Sequence, residues 1–305
     1  MPETVLVTGA GGLIGRPVIE ALSARGDSVI ALDRDRPHFD HPRIACLAAD
    51  LRDLPRVHAI MTATKVDAMV HCGAVSGPMV AVDNPFFICE TNITGTANLL
   101  EAARIHRLRR VVYCSSITAY GPTGEGPISE DYALRPTNVY GGTKAAGEQI
   151  LGGYRHQHGV DGVALRIGWV YGPGRRTACV LREAIRAALK GRPALLPGPA
   201  DFPRQYVHIE DVVRAMLLAL DAAEPPSLAY NLTGGSFLPL SVIRDALAGV
   251  LEGGHVELDQ SAPPGDVHQG RLDLSRIRDE LGFEPAISLE DGLASYRDWL
   301  REHDY

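Results

Sequence analysis

The 305 residues are 45% hydrophobic and 22% charged, a composition that excludes disorder and leaves room for one sizeable core plus a second lobe. A formal net charge of -7 leaves no basic surplus to neutralise nucleic-acid phosphates or an anionic membrane, and the cluster Arg107-Leu108-Arg109-Arg110 reads as a solvated helix end. No apolar run approaches the roughly 20 residues of a membrane span, and no charged-then-apolar leader opens the chain, so a cytoplasmic protein with neither nucleic-acid nor membrane partners is expected. Cys46, Cys72, Cys89, Cys114 and Cys179 are odd in number and form no C-x-x-C pair, which favours reduced core thiols over disulfides or metal. His156 and His158, two apart in a helical pattern, face different ways, and no metal site is expected.

Short Val/Ile/Ala-rich runs alternate with longer helical patterns, the signature of repeated βαβ units. The first strand, residues 4–7, runs into Thr8-Gly9-Ala10-Gly11-Gly12-Leu13-Ile14-Gly15 and a helix over residues 13–25 that stops at Gly26. Glycines between strand and helix permit a tight turn and the close approach of a pyrophosphate, to which the helix N-terminus offers free N–H groups. The second strand, residues 28–32, ends at Asp33, where a carboxylate can accept from both ribose hydroxyls of NAD and would repel the 2′-phosphate of NADP. Arg34 and Arg36 keep NADP open as the alternative. After the third strand, residues 44–47, Asp50 and Leu51 stand where an adenine amino group would be met.

A fourth strand over residues 68–71 precedes a helix over 86–106, and a fifth over 110–114 ends in the hydroxyls of Ser115 and Ser116. A helix over 140–158 then opens with Tyr140-Gly-Gly-Thr-Lys144, which sets a phenol and an ammonium four apart on one face. A phenol ionises near pH 10, and a neighbouring ammonium together with a positive nicotinamide favours its ionised form, which suits general acid–base work on a substrate hydroxyl. The sixth strand, residues 162–167, closes the first unit. Beyond Gly168 the texture shifts to Gly- and Pro-punctuated segments, with helices over 179–190, 209–220, 240–251 and 289–302 and strands over 205–208 and 229–232. The expected fold is α/β: a Rossmann-type doubly wound parallel sheet over residues 1–168, and a smaller C-terminal lobe over 169–305, some of whose segments return to the first domain.

With these motifs in place the chain resembles the extended short-chain dehydrogenase/reductases, the family of sugar-nucleotide epimerases and dehydratases, over nearly its whole length. Besides the glycine cluster and Tyr140 with Lys144, the matching segments are His71-Cys-Gly-Ala74, Asn92-Ile-Thr-Gly95, Ser115-Ser116, Leu165-Arg166 leading to Tyr171-Gly172-Pro173, Arg204-Gln-Tyr-Val-His-Ile-Glu-Asp211 and Leu281-Gly282-Phe283. The resemblance implies that Ser116 bonds the reacting oxygen, with Ser115 as the alternative, that Tyr140 is the general acid/base, and that Lys144 holds the nicotinamide ribose. It implies NAD contacts from Gly9, Gly12, Leu13, Ile14, Gly15, Asp33, Asp50, Leu51, Ala74, Asn92, Tyr140, Lys144 and Tyr171. It also implies substrate contacts from Ser76, Ser116 and Arg204, and a homodimer built from the helix pair 86–106 and 140–158.

Departures from the family pattern shape the expected function. Dehydratases carry an Asp-Glu pair where this chain has Ile117 and Thr118, so dehydration is not expected. The asparagine of the sugar-nucleotide enzymes is Trp169, and the late arginine that precedes Pro-Gly-Asp is Pro263, so two diphosphate contacts are missing. Arg175 and Arg176 offer cations to a carboxylate or phosphate on a smaller substrate. The expectation is an NAD-dependent dehydrogenase acting at a carbinol carbon of a small polyhydroxylated compound such as a sugar or sugar acid. The alternative is a sugar-nucleotide epimerase. A non-catalytic cofactor-sensing scaffold fits least, because Tyr140 and Lys144 are both kept.

Overall fold

Strands sandwiched between two helical layers must bury both faces, and the unbroken apolar runs of this chain do so. The computed structural model describes residues 2–223, 227–251, 255–261 and 267–303. Six strands come first: β1 (Thr4–Thr8), β2 (Ser28–Asp33), β3 (Ile44–Ala48), β4 (Ala68–His71), β5 (Arg110–Ser116) and β6 (Gly162–Ile167). Four short strands follow in the smaller lobe, β7 (Trp169–Tyr171), β8 (Ala194–Pro197), β9 (Pro203–Arg204) and β10 (Tyr206–His208), before the chain returns with β11 (Ala229–Leu232) and ends its strands with β12 (Leu238–Pro239) and β13 (Val256–Asp259). The main sheet has seven parallel strands in the order β11-β6-β5-β4-β1-β2-β3. The winding reverses between β1 and β4, which opens a crevice at their carboxyl ends, and this is the doubly wound class expected.

Among the described residues ten α-helices cover the sheet and build the lobe: α1 (Gly15–Ala24), α2 (Leu54–Thr64), α3 (Pro85–Cys89), α4 (Gly95–His106), α5 (Val139–His158), α6 (Val180–Leu189), α7 (Ile209–Asp221), α8 (Leu240–Val250), α9 (Ser275–Leu281) and α10 (Leu289–Glu302). Successive β1 side chains serve opposite layers. Val5 and Val7 pack in one cluster with Val18 and Ile19 of α1 and Val212 and Met216 of α7, whereas Leu6 packs with Ile60 of α2, Leu99 of α4 and Leu151 of α5. A third cluster joins α6, α8 and α10 around Leu196, Leu247 and Tyr296. No helix among the described residues is long and apolar enough to cross a membrane.

Several boundaries differ from those the sequence predicts. The helix expected over 86–106 is interrupted by a π-helical turn, Glu90–Thr94, which gives its inner face one wider step and turns Asn92 inward. The helix expected from residue 13 starts at Gly15, because Gly12 is held in a turn by its N–H bond to the Gly9 carbonyl (2.9 Å). α2 is unexpected from periodicity alone, but it carries an Asp53 cap that accepts from Arg56 N–H (3.0 Å) and a proline in its first turn. β8, β9, β12 and β13 span two to four residues each, too short for an alternation to register.

Two buried polar systems tie these layers together. Thr8 and His71 are register partners on β1 and β4, and the imidazole bridges Thr8 Oγ1 (2.8 Å) and Thr96 Oγ1 (3.0 Å). Thr96 spends its proton on the Asn92 carbonyl (2.6 Å), so it accepts from Nε2–H, while Thr8 accepts from Gly73 N–H (3.1 Å) and donates to Nδ1. One neutral tautomer satisfies every partner. Burial, and then the Lys144 charge, lower the His71 pKa from 6.5 to about 3. On the other side of β5, Glu148 of α5 and Arg166 of β6 form a buried pair (2.7 Å) that also engages Tyr120 and the Glu130 carbonyl, and Ser115 donates to Glu148.

Because the native imidazole refuses a proton until about pH 3 while the unfolded chain accepts one near 6.5, stability is lost as the pH is lowered through that window, by up to roughly 1.4 kcal/mol per unit from this group. Urea midpoints of His71→Gln should therefore depend less steeply on pH within it, and an unchanged slope would refute the neutral assignment. For the ion pair, Glu148→Leu leaves Arg166 buried without its counter-charge and should cost about 3–5 kcal/mol in equilibrium unfolding at neutral pH.

Candidate active site

Steric exclusion shapes the mouth of the crevice. Gly9 has φ +67°, and a Cβ there would lie 2.8 Å from the Cys72 carbonyl and Gly73 N; a Cβ on Gly15 would lie 2.1 Å from the Gly9 carbonyl oxygen. Any side chain at either position would break the β1-to-α1 turn. No side chain caps the first turn of α1, and Gly12, Leu13, Ile14 and Gly15 at its start line the crevice. The Asp33 carboxylate stands across the turn and accepts from Gly11 N–H (2.9 Å) and Arg34 N–H (2.7 Å). Asp50 accepts from Arg52 Nε (3.0 Å) and Nη2 (2.7 Å), and that pairing lowers its pKa. A glycine cradle, uncapped N–H groups and a carboxylate at the far end fit a dinucleotide bearing an unphosphorylated ribose.

The cleft, about 550 Å3, runs from Asp33 and Arg34 past Gly9, Gly12, Leu13, Ile14 and Gly15 to Ser116, Tyr140 and Lys144, and on to Trp169, Val170, Arg175 and Thr177. Asp50, Leu51, Ala74 and Ser76 also line it. Lys144 is buried, donates to the Cys114 carbonyl (2.6 Å), and sits 5.0 Å from the Tyr113 ring centre and 5.8 Å from that of Tyr140. Burial opposes its charge, but Tyr113, Tyr140, Cys114 and Cys72 outweigh burial and hold its pKa above the ordinary value, so the ammonium persists. Tyr113 stays neutral beside it. Burial pushes its hydroxyl up to about 12, which keeps it protonated. Asn138 caps α5 by accepting from Gly141 N–H (2.8 Å), and so fixes the turn that carries Tyr140. Cys114 Sγ lies 3.2 Å from Cys72 Sγ on the neighbouring strand, and all five cysteines are free.

The two serines at the end of β5 have different surroundings. Both line the cleft, but the Ser115 hydroxyl is committed to Glu148, whereas Ser116 Oγ lies 3.0 Å from Thr118 Oγ1. Four residues singled out from the sequence do not line the cleft. Asn92 stands behind the wall, where its amide pins Val75 N (2.8 Å), Val75 O (3.1 Å) and Thr143 Oγ1 (3.0 Å). Tyr171 turns its ring toward α10, its hydroxyl 3.5 Å from the Ser288 and Leu289 carbonyls. Arg176 is exposed outside the cleft, and Arg204 is buried with its guanidinium 5.4 Å from the Trp169 ring centre and 4.8 Å from that of Phe202. Pro263 lies outside the described residues. Sequence reasoning named Thr118 only as the residue where dehydratases carry a carboxylate, and missed Thr177 and the Met79-Val80-Ala81 wall.

Residues 5–233 match the model of the NAD dependent epimerase/dehydratase family. The chain is 31% identical to the UDP-glucose 4-epimerase of Mycolicibacterium smegmatis, with 97% of this chain and 98% of that protein covered. It is 30% identical to UDP-glucuronate 4-epimerase 5 of Arabidopsis thaliana, with 97% of this chain and 75% of that protein covered. Among solved structures, MoeE5 in complex with UDP-glucuronic acid and NAD superposes with a TM-score of 0.88 at 30% identity, with 98% of this chain and 99% of that one covered. A cradle shaped for a dinucleotide, a hydroxyl, phenol and ammonium at its inner end, and likeness along the whole chain converge, and the chain belongs to the NAD-dependent epimerase/dehydratase family, whose NAD-dependent hydride-transfer chemistry it carries.

Proposed function

We propose that the protein is an NAD-dependent epimerase acting on a nucleoside-diphosphate sugar, inverting a carbinol carbon and keeping its cofactor. What carries this reading is that one cleft joins the dinucleotide cradle to Ser116, Tyr140 and Lys144. Relatives that match over 97% of the chain include UDP-sugar 4-epimerases, which favours this alternative over the small-substrate dehydrogenase that the sequence suggested. That expectation rested on Trp169 and Pro263 as lost contacts, yet Arg204 is retained directly against Trp169.

Bound NAD supplies the hydride acceptor and, once reduced, the donor. Tyr140 takes the proton of the substrate hydroxyl and later returns it, while Ser116 donates to the same oxygen. The Lys144 ammonium favours the ionised phenol and keeps its charge throughout, since its pKa is raised. At the substrate end Arg175 lines the cleft and adds a cation whose Nη1 donates to the Val170 carbonyl (2.7 Å) and whose buried Nε has no hydrogen-bond partner among the described residues. That charge favours a hexuronate over a neutral hexose.

For assembly we infer a homodimer across α4 and α5. Phe86, Ile105 and Val139 are exposed apolar residues on or beside these helices (70%, 49% and 41%), which supports this reading.

Incubation with UDP-glucuronate or UDP-glucose, followed by NMR of the sugar, should show the 4-epimer without net NADH release, with the uronate turned over more efficiently. Tyr140→Phe should lower kcat by about 10²–10⁴-fold while NAD binds as before; net NADH accumulation would point back to a dehydrogenase. Sedimentation at micromolar concentration should give a dimer mass, and Phe86→Glu should shift it toward monomer.

A further inference from the structure

Thr118 stands where dehydratases of the family carry a carboxylate, and its hydroxyl has one hydrogen-bond partner among the described residues, Ser116. Two contacts join the pair. Thr118 N–H donates to Ser116 Oγ (3.2 Å), and the two hydroxyl oxygens lie 3.0 Å apart. Both residues line the cleft beside Tyr140.

A hydroxyl oxygen has one proton and two lone pairs. The Thr118 N–H occupies one lone pair of Ser116. If Ser116 donated to Thr118 Oγ1, it could offer the substrate only the remaining lone pair, and a substrate oxygen that has become a carbonyl has no proton to give it. If Thr118 donates instead, both lone pairs of Ser116 are filled and its proton is the only valence left. That proton then points at the reacting oxygen in both of its oxidation states.

We propose that Thr118 is a positioning residue that makes Ser116 an obligate donor toward the substrate oxygen. This rests on the epimerase reading above and assigns how the serine is set for it. A carboxylate at this position would accept the Ser116 proton and reverse the polarity, so Thr118 also separates this site from one built for dehydration. The backbone N–H is indifferent to the side chain. Only the hydroxyl proton of Thr118 decides which way the pair is polarised.

The test uses the NAD-loaded full chain with UDP-glucuronate and UDP-glucose. Thr118→Val keeps the shape and the backbone N–H but removes the donor, and should lower kcat about ten- to a hundredfold with KM and the urea midpoint little changed. Thr118→Ser should restore kcat to within about twofold. In a Ser116→Ala background, Thr118→Val should cost nothing further, because the two hydroxyls act as one unit. Additive losses, an equal defect in Thr118→Ser, or a Thr118→Val enzyme as fast as the parent would each overturn the proposal. If the parent turns over neither sugar nucleotide, the epimerase reading itself falls and takes this role with it, a result distinct from slow variants of an active parent.

Discussion

Everything on the floor of the crevice depends on one neutral imidazole. His71 joins β1 to β4 where the winding reverses, and a chain of donors and acceptors runs through it from the Gly73 amide to the Asn92 carbonyl. Asn92 then holds Val75 and the second turn of α5 through Thr143. The loop that carries Ala74 and Ser76 is thereby fixed to the glycine turn on one side and to the helix of Tyr140 on the other. A charged imidazole would break this continuity, because Nδ1 could no longer accept from Thr8. The nearby Lys144 ammonium adds electrostatic resistance to that second positive charge.

The electrostatics of the reacting end follow from a similar economy. Lys144 is buried, yet its pKa is held above the ordinary value and its ammonium donates a hydrogen bond to the Cys114 carbonyl. The nearest carboxylate on α5, Glu148, is absorbed by Arg166 and Ser115. The Glu148 charge is thus met within that network, and the cation beside the Tyr140 ring is Lys144.

Much of this was legible in the sequence because it is local. Gly9 and Gly15 must be glycine for steric reasons that a strand-turn-helix pattern already implies, and Asp33 follows from its place at the end of β2. The paired spacing of Tyr140 and Lys144 is likewise fixed by one helix. What escaped is non-local. The π turn that sends Asn92 behind the wall, the rotation of Tyr171 toward α10, and the burial of Arg204 against Trp169 depend on partners 17 to 118 positions away or on a second lobe whose strands are too short to read. Trp169 illustrates the difficulty: as a letter it removes an amide, but in the fold it lies over a guanidinium, and the cation next to the cleft is kept rather than lost.

The return of β11 to the main sheet has a consequence for how the chain can be assembled. β6 ends at Ile167 and its neighbour β11 begins at Ala229, so the edge of the first six strands stays open until the intervening residues 168–228 have been made. Closing that gap is a long-range event, the kind that slows folding and is completed late. Until then β6 presents a bare, apolar parallel edge, the kind of surface that pairs with other chains. The carboxyl-terminal half is therefore the strand partner that shields the amino-terminal half during synthesis, and a ribosome-released fragment ending after β6 would carry an adhesive edge even with its cofactor cradle intact.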